Sequence, residues 1–309
     1  MVNWLCVVAQ RAVPLLIKQP IDFPDFIIGS KLSPMPLKQA ILPVAGLGTR
    51  FLPWSKTVPK ELLPLGNQPI IAHLVSECMD AGITDVCFVI SKGKELISEY
   101  FENDSKLEAE LGARGKLNCL EDLKRYDSVN FHTVYQDEQH GDGHAILQAA
   151  DWVESEPVAI LFGDDLFVGD AGGLTQLKKA YELMGDEGVL IALENIDRSL
   201  APRYGIIDVG AEHEGDSRLK EVNDLVEKPS PEEAPSTLGI VGRFLIPKST
   251  IDILPSIGKE HSGEIRLVDA LKSQIGSVPI FGYECKGMRI DTGTPEGYRE
   301  AVEIWGINN

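Results

Sequence analysis

Cysteine is scarce in this chain and follows no pairing pattern. Its 309 residues include five, Cys6, Cys78, Cys87, Cys119 and Cys285. An odd number, scattered and without a Cys-x-x-Cys pair, excludes a disulfide framework and the usual zinc spacings, and points to reduced thiols in a cytoplasm. Apolar stretches are short too: none approaches the ~20 residues that cross a bilayer. The apolar run at residues 4–9 meets Arg11, follows no basic residue and precedes no small-x-small cleavage site, so a secretory signal is not expected. Basic residues are few, 29 Lys and Arg against 47 Asp and Glu, a net charge of −18. A field of that sign repels phosphate backbones and anionic lipid, so neither nucleic acid nor a membrane is expected as a partner. An anionic small substrate would need local lysines or arginines, backbone amides or a divalent cation. No internal repeat or low-complexity tract appears, which sets aside solenoids and linkers.

What remains is an ordinary globular composition, 43% hydrophobic and 25% charged, with length for one large or two smaller domains. Residues 1–38 stand apart: prolines at 14, 20, 24, 34 and 36 break every candidate helix. From Gln39 onward, short Val/Ile-rich runs alternate with helical stretches. This is the signature of an α/β fold, with a Rossmann-like, mixed but mainly parallel sheet flanked by helices. Strands are predicted at 39–44, 85–90, 130–135, 157–162, 188–194, 205–209, 218–227, 238–246 and 279–285. Ile70, Ile71, Leu74, Val75, Cys78 and Met79 repeat at helical spacing, with Gly82 as a stop. Thr294 should cap a last helix that has Pro295 at its first position and ends at Gly306. The charged stretch 105–127 reads as a helical surface insertion.

The first strand leads into Ala45-Gly46-Leu47-Gly48-Thr49-Arg50, a glycine turn whose amides can approach a phosphate or a base. It is neither a Walker loop nor a Gly-x-Gly-x-x-Gly dinucleotide fingerprint. Arg50, Lys56 and Lys60 follow within eleven residues, in a segment whose prolines predict an extended course suited to a polyphosphate. Strand 157–162 ends in Gly163-Asp164-Asp165, at the carboxyl end where open α/β sheets place ligands. Asp291 occupies a similar position in a second short segment. Two such carboxylates suit a hard cation that keeps substrate phosphates as its other ligands. Asp165 reads as a turn or cap. Gln136 offers a donor and an acceptor for the imide edge of a pyrimidine, and Gly141 leaves room for the base. His144 is expected to pack or orient near the helix start.

The run from Ala45 through Arg50, Pro53 and Lys56 to Pro59-Lys60-Glu61-Leu62-Leu63-Pro64 resembles the signature of the sugar-phosphate nucleotidylyltransferases. The likeness extends in order from about Lys38 to about Trp305, and within the family it is greatest to the branch acting on UTP and glucose 1-phosphate. The resemblance implies an enzyme making UDP-glucose and pyrophosphate, with Mg²⁺ as cofactor on Asp164 and Asp291. It implies Arg50, Lys60 and Lys228 as catalytic cations. It also implies nucleotide contacts from Ala45, Gly46, Gly48, Thr49, Gln136 and Gly141, and sugar contacts from Gly205, Glu227, Val241 and Gly242. Gly163 and the Thr292-to-Thr294 segment are nearer to thymidylyltransferases, so that activity, or another sugar-1-phosphate specificity, is the alternative. A second alternative is a non-catalytic sugar-nucleotide sensor on the same fold, which should have lost its chemical residues; Arg50, Lys60, Asp164, Asp291 and Lys228 are all present. The family homology starts just after Met35, so residues 1–35 are expected to be a poorly ordered extension and 36–309 the nucleotidyltransferase domain. The chain ends at Asn309, short of a helical tail usual in the family, so a homo-oligomer is compatible with the likeness but not carried over from it.

Overall fold

Period-two apolar patterning generates the centre of the molecule. In the computed structural model, which describes residues 37–257 and 263–308 (backbone only for 306–308), Ala40 and Leu42 turn to one face of the first strand and Ile41 to the other, all fully buried. Successive side chains on a strand point to opposite faces, and a sheet covered on both faces needs continuous apolar runs. The expectation for residues 1–35 lies outside the described residues.

Thirteen strands occur among the described residues: β1 (Gln39–Pro43), β2 (Pro64–Leu65), β3 (Gln68–Pro69), β4 (Asp85–Ile90), β5 (Asn130–Tyr135), β6 (Val158–Leu161), β7 (Asp165–Val168), β8 (Val189–Asn195), β9 (Gly205–His213), β10 (Asp216–Glu227), β11 (Leu238–Ile246), β12 (Ile280–Glu284) and β13 (Met288–Asp291). Nine form one sheet in the order β5-β4-β1-β6-β11-β8-β12-β10-β9. The β5-β4-β1-β6 half is parallel throughout. β11 lies antiparallel to β6 and β8, and β10 antiparallel to β12 and β9. Only those two strands run against the rest, so the sheet is mixed but mainly parallel.

The helices Ile70–Asp80 and Gly173–Leu183 cover one face, and Asp142–Gln148, Lys248–Asp252 and Leu267–Gln274 the other. From β1 the chain builds outward through β4 and β5, then returns to β6 on the opposite side of β1. Such a reversal opens a crevice outside the carboxyl ends of β1 and β6, where ligands bind in open α/β sheets.

Nine predicted strands correspond to sheet strands within a few residues, and stretch 105–127 forms the exposed helices Ser105–Ala113 and Leu117–Leu123. Other expectations need correction. The segment after the glycine turn is not extended: it winds into three 3₁₀ turns, Thr49–Phe51, Trp54–Lys56 and Lys60–Leu62. The fixed φ of proline serves a tight turn's entry as readily as an extended one, and Pro53 and Pro59 stand just before two of these turns. The last helix passes Gly306 and runs Pro295–Asn308; a glycine inside a helix costs only about 1 kcal/mol. Its predicted cap holds, the Thr294 hydroxyl accepting from the Gly297 amide at 3.0 Å. The short strands β2, β3, β7 and β13 were not foreseen. The β7–β13 ribbon pairs Asp165 with Asp291 and positions the site.

Candidate active site

Four loops meet at the carboxyl ends of β1, β5 and β6 and at the end of β13. The first continues β1 through Val44, Ala45 and Gly46 to Gly48, which adopts a left-handed conformation with φ of 63° that favours glycine. Ser55 fastens the turn by donating to the Gly48 carbonyl at 2.7 Å. Beneath it lies a buried ion pair absent from the sequence reading. The Lys94 ammonium donates to the Val44 carbonyl at 2.7 Å and to Glu61 at 3.0 and 3.2 Å. Burial pushes the Lys94 pKa below its usual value despite the pull of Glu61. The pair ties the glycine loop to the segment carrying Lys60.

Lys60 reaches Asp164 at 2.8 Å. Burial works against the Lys60 charge, but Asp164 and Glu61 outweigh it and raise the ammonium above its usual range. Burial likewise works against the Asp164 anion, and Lys60 with Arg50 overcomes it, so the carboxyl sits below the usual aspartate range. Both groups are therefore charged near neutral pH. Asp291 accepts the Gly293 amide on Oδ1 at 2.8 Å and Arg203 on Oδ2 at 3.1 Å. Gly293 lies between the two aspartates: a Cβ there would stand 2.7 Å from Asp164 Oδ2 and 2.9 Å from Asp291 Oδ1. The two oxygens are thus no more than about 5.6 Å apart.

This spacing comes from the ribbon and its underpinning. The Thr292 amide and hydroxyl donate to the Asp164 carbonyl at 2.7 and 2.9 Å. Asp165 is not a turn or cap residue. Its buried carboxylate holds Arg289 and accepts the Gly242 amide at 2.9 Å, because a charge removed from water needs fixed partners. Arg289 also donates to Glu194 at 2.6 Å and to the Tyr204 hydroxyl at 2.5 Å. Gly163 and Thr292 to Thr294 have structural reasons unrelated to the base: a Cβ on Gly163 would meet Val44 Cγ1 at 2.7 Å, Thr292 braces Asp164 and Thr294 caps a helix.

A cavity of about 280 Å³ is lined by Ala45, Gly46, Lys60, Gln136, Gly141 and Asp164, among others. Gln136 is 2% exposed and commits its Nε2 to the Gly141 carbonyl at 3.0 Å and to His144 at 3.1 Å. Its Oε1 has no partner among the described residues and is left as the acceptor for an incoming N–H. Gly141, with φ of 100°, is held where a Cβ would collide with the Ile265 carbonyl at 2.4 Å. His144 orients Gln136, and burial pushes its pKa down, keeping the ring neutral.

A second cavity of about 580 Å³ is lined by Arg50, Lys228 and Asp291, and by Arg203, which sequence reasoning missed. Arg50 donates to the Gly293 carbonyl at 3.3 Å, so both cavities border the Asp164–Gly293–Asp291 junction. Gly205 and Glu227 are paired across β9 and β10, and a Cβ on Gly205 would stand 3.2 Å from Glu227 Oε2. Val241 is buried in the sheet. The open side of Gly242 is filled by Asp165 and Phe162 of the same chain. Gly48 and Thr49 stand beyond the first cavity, and Lys56 points to solvent.

Among the described residues no cluster of three or more His, Cys, Asp or Glu could hold a metal. Two carboxylates with phosphates completing the shell are the usual way Mg²⁺ is bound, so hard oxygens facing each other across Gly293 fit that ion. No helix among the described residues is long and apolar enough to cross a membrane.

The chain is 37% identical over 270 residues to a UTP–glucose-1-phosphate uridylyltransferase of Bacillus subtilis, covering 87% of this chain and 89% of that one. It is 40% identical over 263 residues to one from Staphylococcus saprophyticus, covering 85% and 89%. Among solved structures it is similar to an apo UDP-glucose pyrophosphorylase, with a TM-score of 0.82, 32% identity and coverage of 88% and 99%. It is also similar to a UTP-bound enzyme of that type from Acinetobacter baumannii, with a TM-score of 0.80, 32% identity and coverage of 88% and 94%. The family model described as nucleotidyl transferase matches residues 39–305. That span opens at β1, closes within the last helix and contains every loop of the site, so the chain belongs to the nucleotidyl transferase family.

Proposed function

We propose that the chain catalyses transfer of the uridylyl group from UTP to glucose 1-phosphate, giving UDP-glucose and pyrophosphate. The carrying observation is the Asp164–Gly293–Asp291 junction, bordered by one cavity lined by Gln136 and Gly141 and another lined by Arg50, Arg203 and Lys228. Uridylyltransferases with 35–40% identity over most of the chain support the choice of UTP and glucose 1-phosphate.

The reaction needs positioning and charge neutralisation more than covalent chemistry. A phosphate oxygen of glucose 1-phosphate attacks the α-phosphorus of UTP in line, and the bond to the β-phosphate oxygen breaks. Gln136 Oε1 accepts the uracil imide N–H, and Gly46 and Gly141 admit the nucleotide without side-chain bulk. Lys60 and Arg50 neutralise the leaving pyrophosphate, while Lys228 holds the attacking phosphate. Glu227 and the Gly205 amide take the glucose hydroxyls. Asp164 and Asp291 would hold Mg²⁺, which supplies charge neutralisation to the phosphates when bound. Cys78 and Cys87 are buried and their thiols pushed up, Cys87 to about 12, which suits neither for nucleophilic work. With four free cysteines among the described residues, we read the enzyme as cytoplasmic.

The test is a pyrophosphate-release matrix crossing UTP, dTTP, GTP, CTP and ATP with glucose, galactose, mannose and N-acetylglucosamine 1-phosphates. UTP with glucose 1-phosphate should give the highest kcat/KM. A clear preference for dTTP would move the assignment to a thymidylyltransferase.

A further inference from the structure

Asp291 has both carboxylate oxygens engaged, but by partners of different kinds. Oδ1 takes a backbone amide, from Gly293 at 2.8 Å, whereas Oδ2 takes the Arg203 side chain at 3.1 Å. A cation arriving at Asp291 can displace a side chain far more readily than a backbone N–H. Arg203 is the exposed member, with 53% of its side chain accessible, at the end of a long flexible stem. The backbone beside it is held: the Tyr204 hydroxyl is bonded to Arg289, and the Tyr204 carbonyl accepts the Lys228 amide at 2.9 Å. The guanidinium can therefore swing while its anchor stays, and the cavity it lines also contains Lys228 and Arg50. Three cations line this cavity against two acids, Asp291 and Glu296, which leaves it one net positive charge in a chain of net charge −18, and a guanidinium fork matches phosphate oxygens two at a time.

We propose that Arg203 binds the phosphate of the sugar 1-phosphate beside Lys228, and that its contact with Asp291 is the resting position it leaves when that carboxylate takes a divalent cation. This rests on the reading of Asp164 and Asp291 as the metal-binding pair. Lys60 on Asp164 is the matching contact on the other carboxylate, so each acid carries a cation that neutralises it before the substrates arrive.

The two roles of Arg203 give changes of opposite sign. With the full-length protein and Mn²⁺ alone, followed by the electron paramagnetic resonance signal of the free ion, Arg203→Gln should bind Mn²⁺ about two- to fivefold more tightly, the scale of an exposed ion pair removed. In turnover the same variant should raise the KM for glucose 1-phosphate by about 10-fold or more, as expected for a lost charge-assisted hydrogen bond, and move the KM for UTP less than about twofold. Arg203→Lys should restore part of both. Asp291→Asn, in the same Mn²⁺ titration, should weaken binding. If it does not, the metal-pair reading itself falls, and this inference with it. If Asp291→Asn weakens Mn²⁺ binding while Arg203→Gln leaves it unchanged or weaker, or leaves the KM for glucose 1-phosphate unchanged, the role of Arg203 is overturned and the metal pair stands.

Discussion

At the scale of single residues, two side chains of the site should fail in different ways. Lys60 contacts Asp164 at 2.8 Å and, in the proposed mechanism, faces the charge that grows as pyrophosphate leaves. Lys60→Met should cut kcat by about 10²-fold or more with a smaller change in KM. The same substitution has a pH signature. Burial pushes the Asp164 carboxyl up and Lys60 is the chief group pulling it down, so its removal should move the acid limb of the kcat/KM profile to higher pH. Glu227 pairs with Gly205 across β9 and β10 and lies 3.3 Å from the exposed Lys228. Glu227→Ala should act mainly on the KM for glucose 1-phosphate. Steady-state kinetics of both variants decide the matter, and equal mild effects would sink the assignment of roles. The sequence pointed to Lys60, Asp164 and Asp291 because they end apolar strands or follow a glycine turn. It hid Lys94, Arg289 and Arg203, whose work depends on partners dozens of residues away: Glu61, Asp165 and Asp291.

At the scale of elements, legibility followed length and burial. β4 and β11 begin and end where the apolar runs do, since both lie inside the sheet and are buried almost throughout. β7 and β13 are four residues each, mix charged with apolar residues, and exist because they pair with each other; no local pattern announces such a ribbon. The three 3₁₀ turns were missed for a related reason, since a proline's φ does not separate a turn from an extended segment. One element contact carries a pH prediction. His73, on the helix Ile70–Asp80, makes a 2.9 Å contact through Nε2 to the Leu65 carbonyl of β2 and lies 4.4 Å, between ring centres, from Trp305 of the last helix. Burial pushes its pKa below the ordinary 6.5. Between 6.5 and that lower value the unfolded chain binds more protons than the folded one, so stability falls as pH drops through the window and is fully present above it. Melting temperatures at pH 7.5 and 5.5 should therefore fall further in the wild type than in His73→Gln, which keeps a donor for Leu65. Parallel losses would show that His73 does not supply the dependence.

At the scale of the whole molecule, the mixed sheet makes two apolar layers into one structural unit. The described residues cluster as one body. The layers share their strands residue by residue, with Leu42, Phe88 and Leu161 on one face and Ile41, Val89 and Ile160 on the other. Loss of packing on either face must loosen the same hydrogen-bonded strands, and with them the loops that carry Ala45, Gln136 and Asp164. Each buried large-to-alanine change removes transfer energy and leaves a cavity, at a cost of about 2–5 kcal/mol. Ile41→Ala and Leu42→Ala, neighbours on β1 that face opposite layers, should thus destabilise the protein by similar amounts. Both should lower one common transition when unfolding is followed by far-ultraviolet circular dichroism and by tryptophan fluorescence. The tryptophans report on both sides, since Trp152 packs against the layer of Ile41 and Trp305 against that of Leu42. Separation of the two signals in either variant, with one layer melting ahead of the other, would show that the faces are independent and that the sheet does not couple the crevice to the packing beneath it.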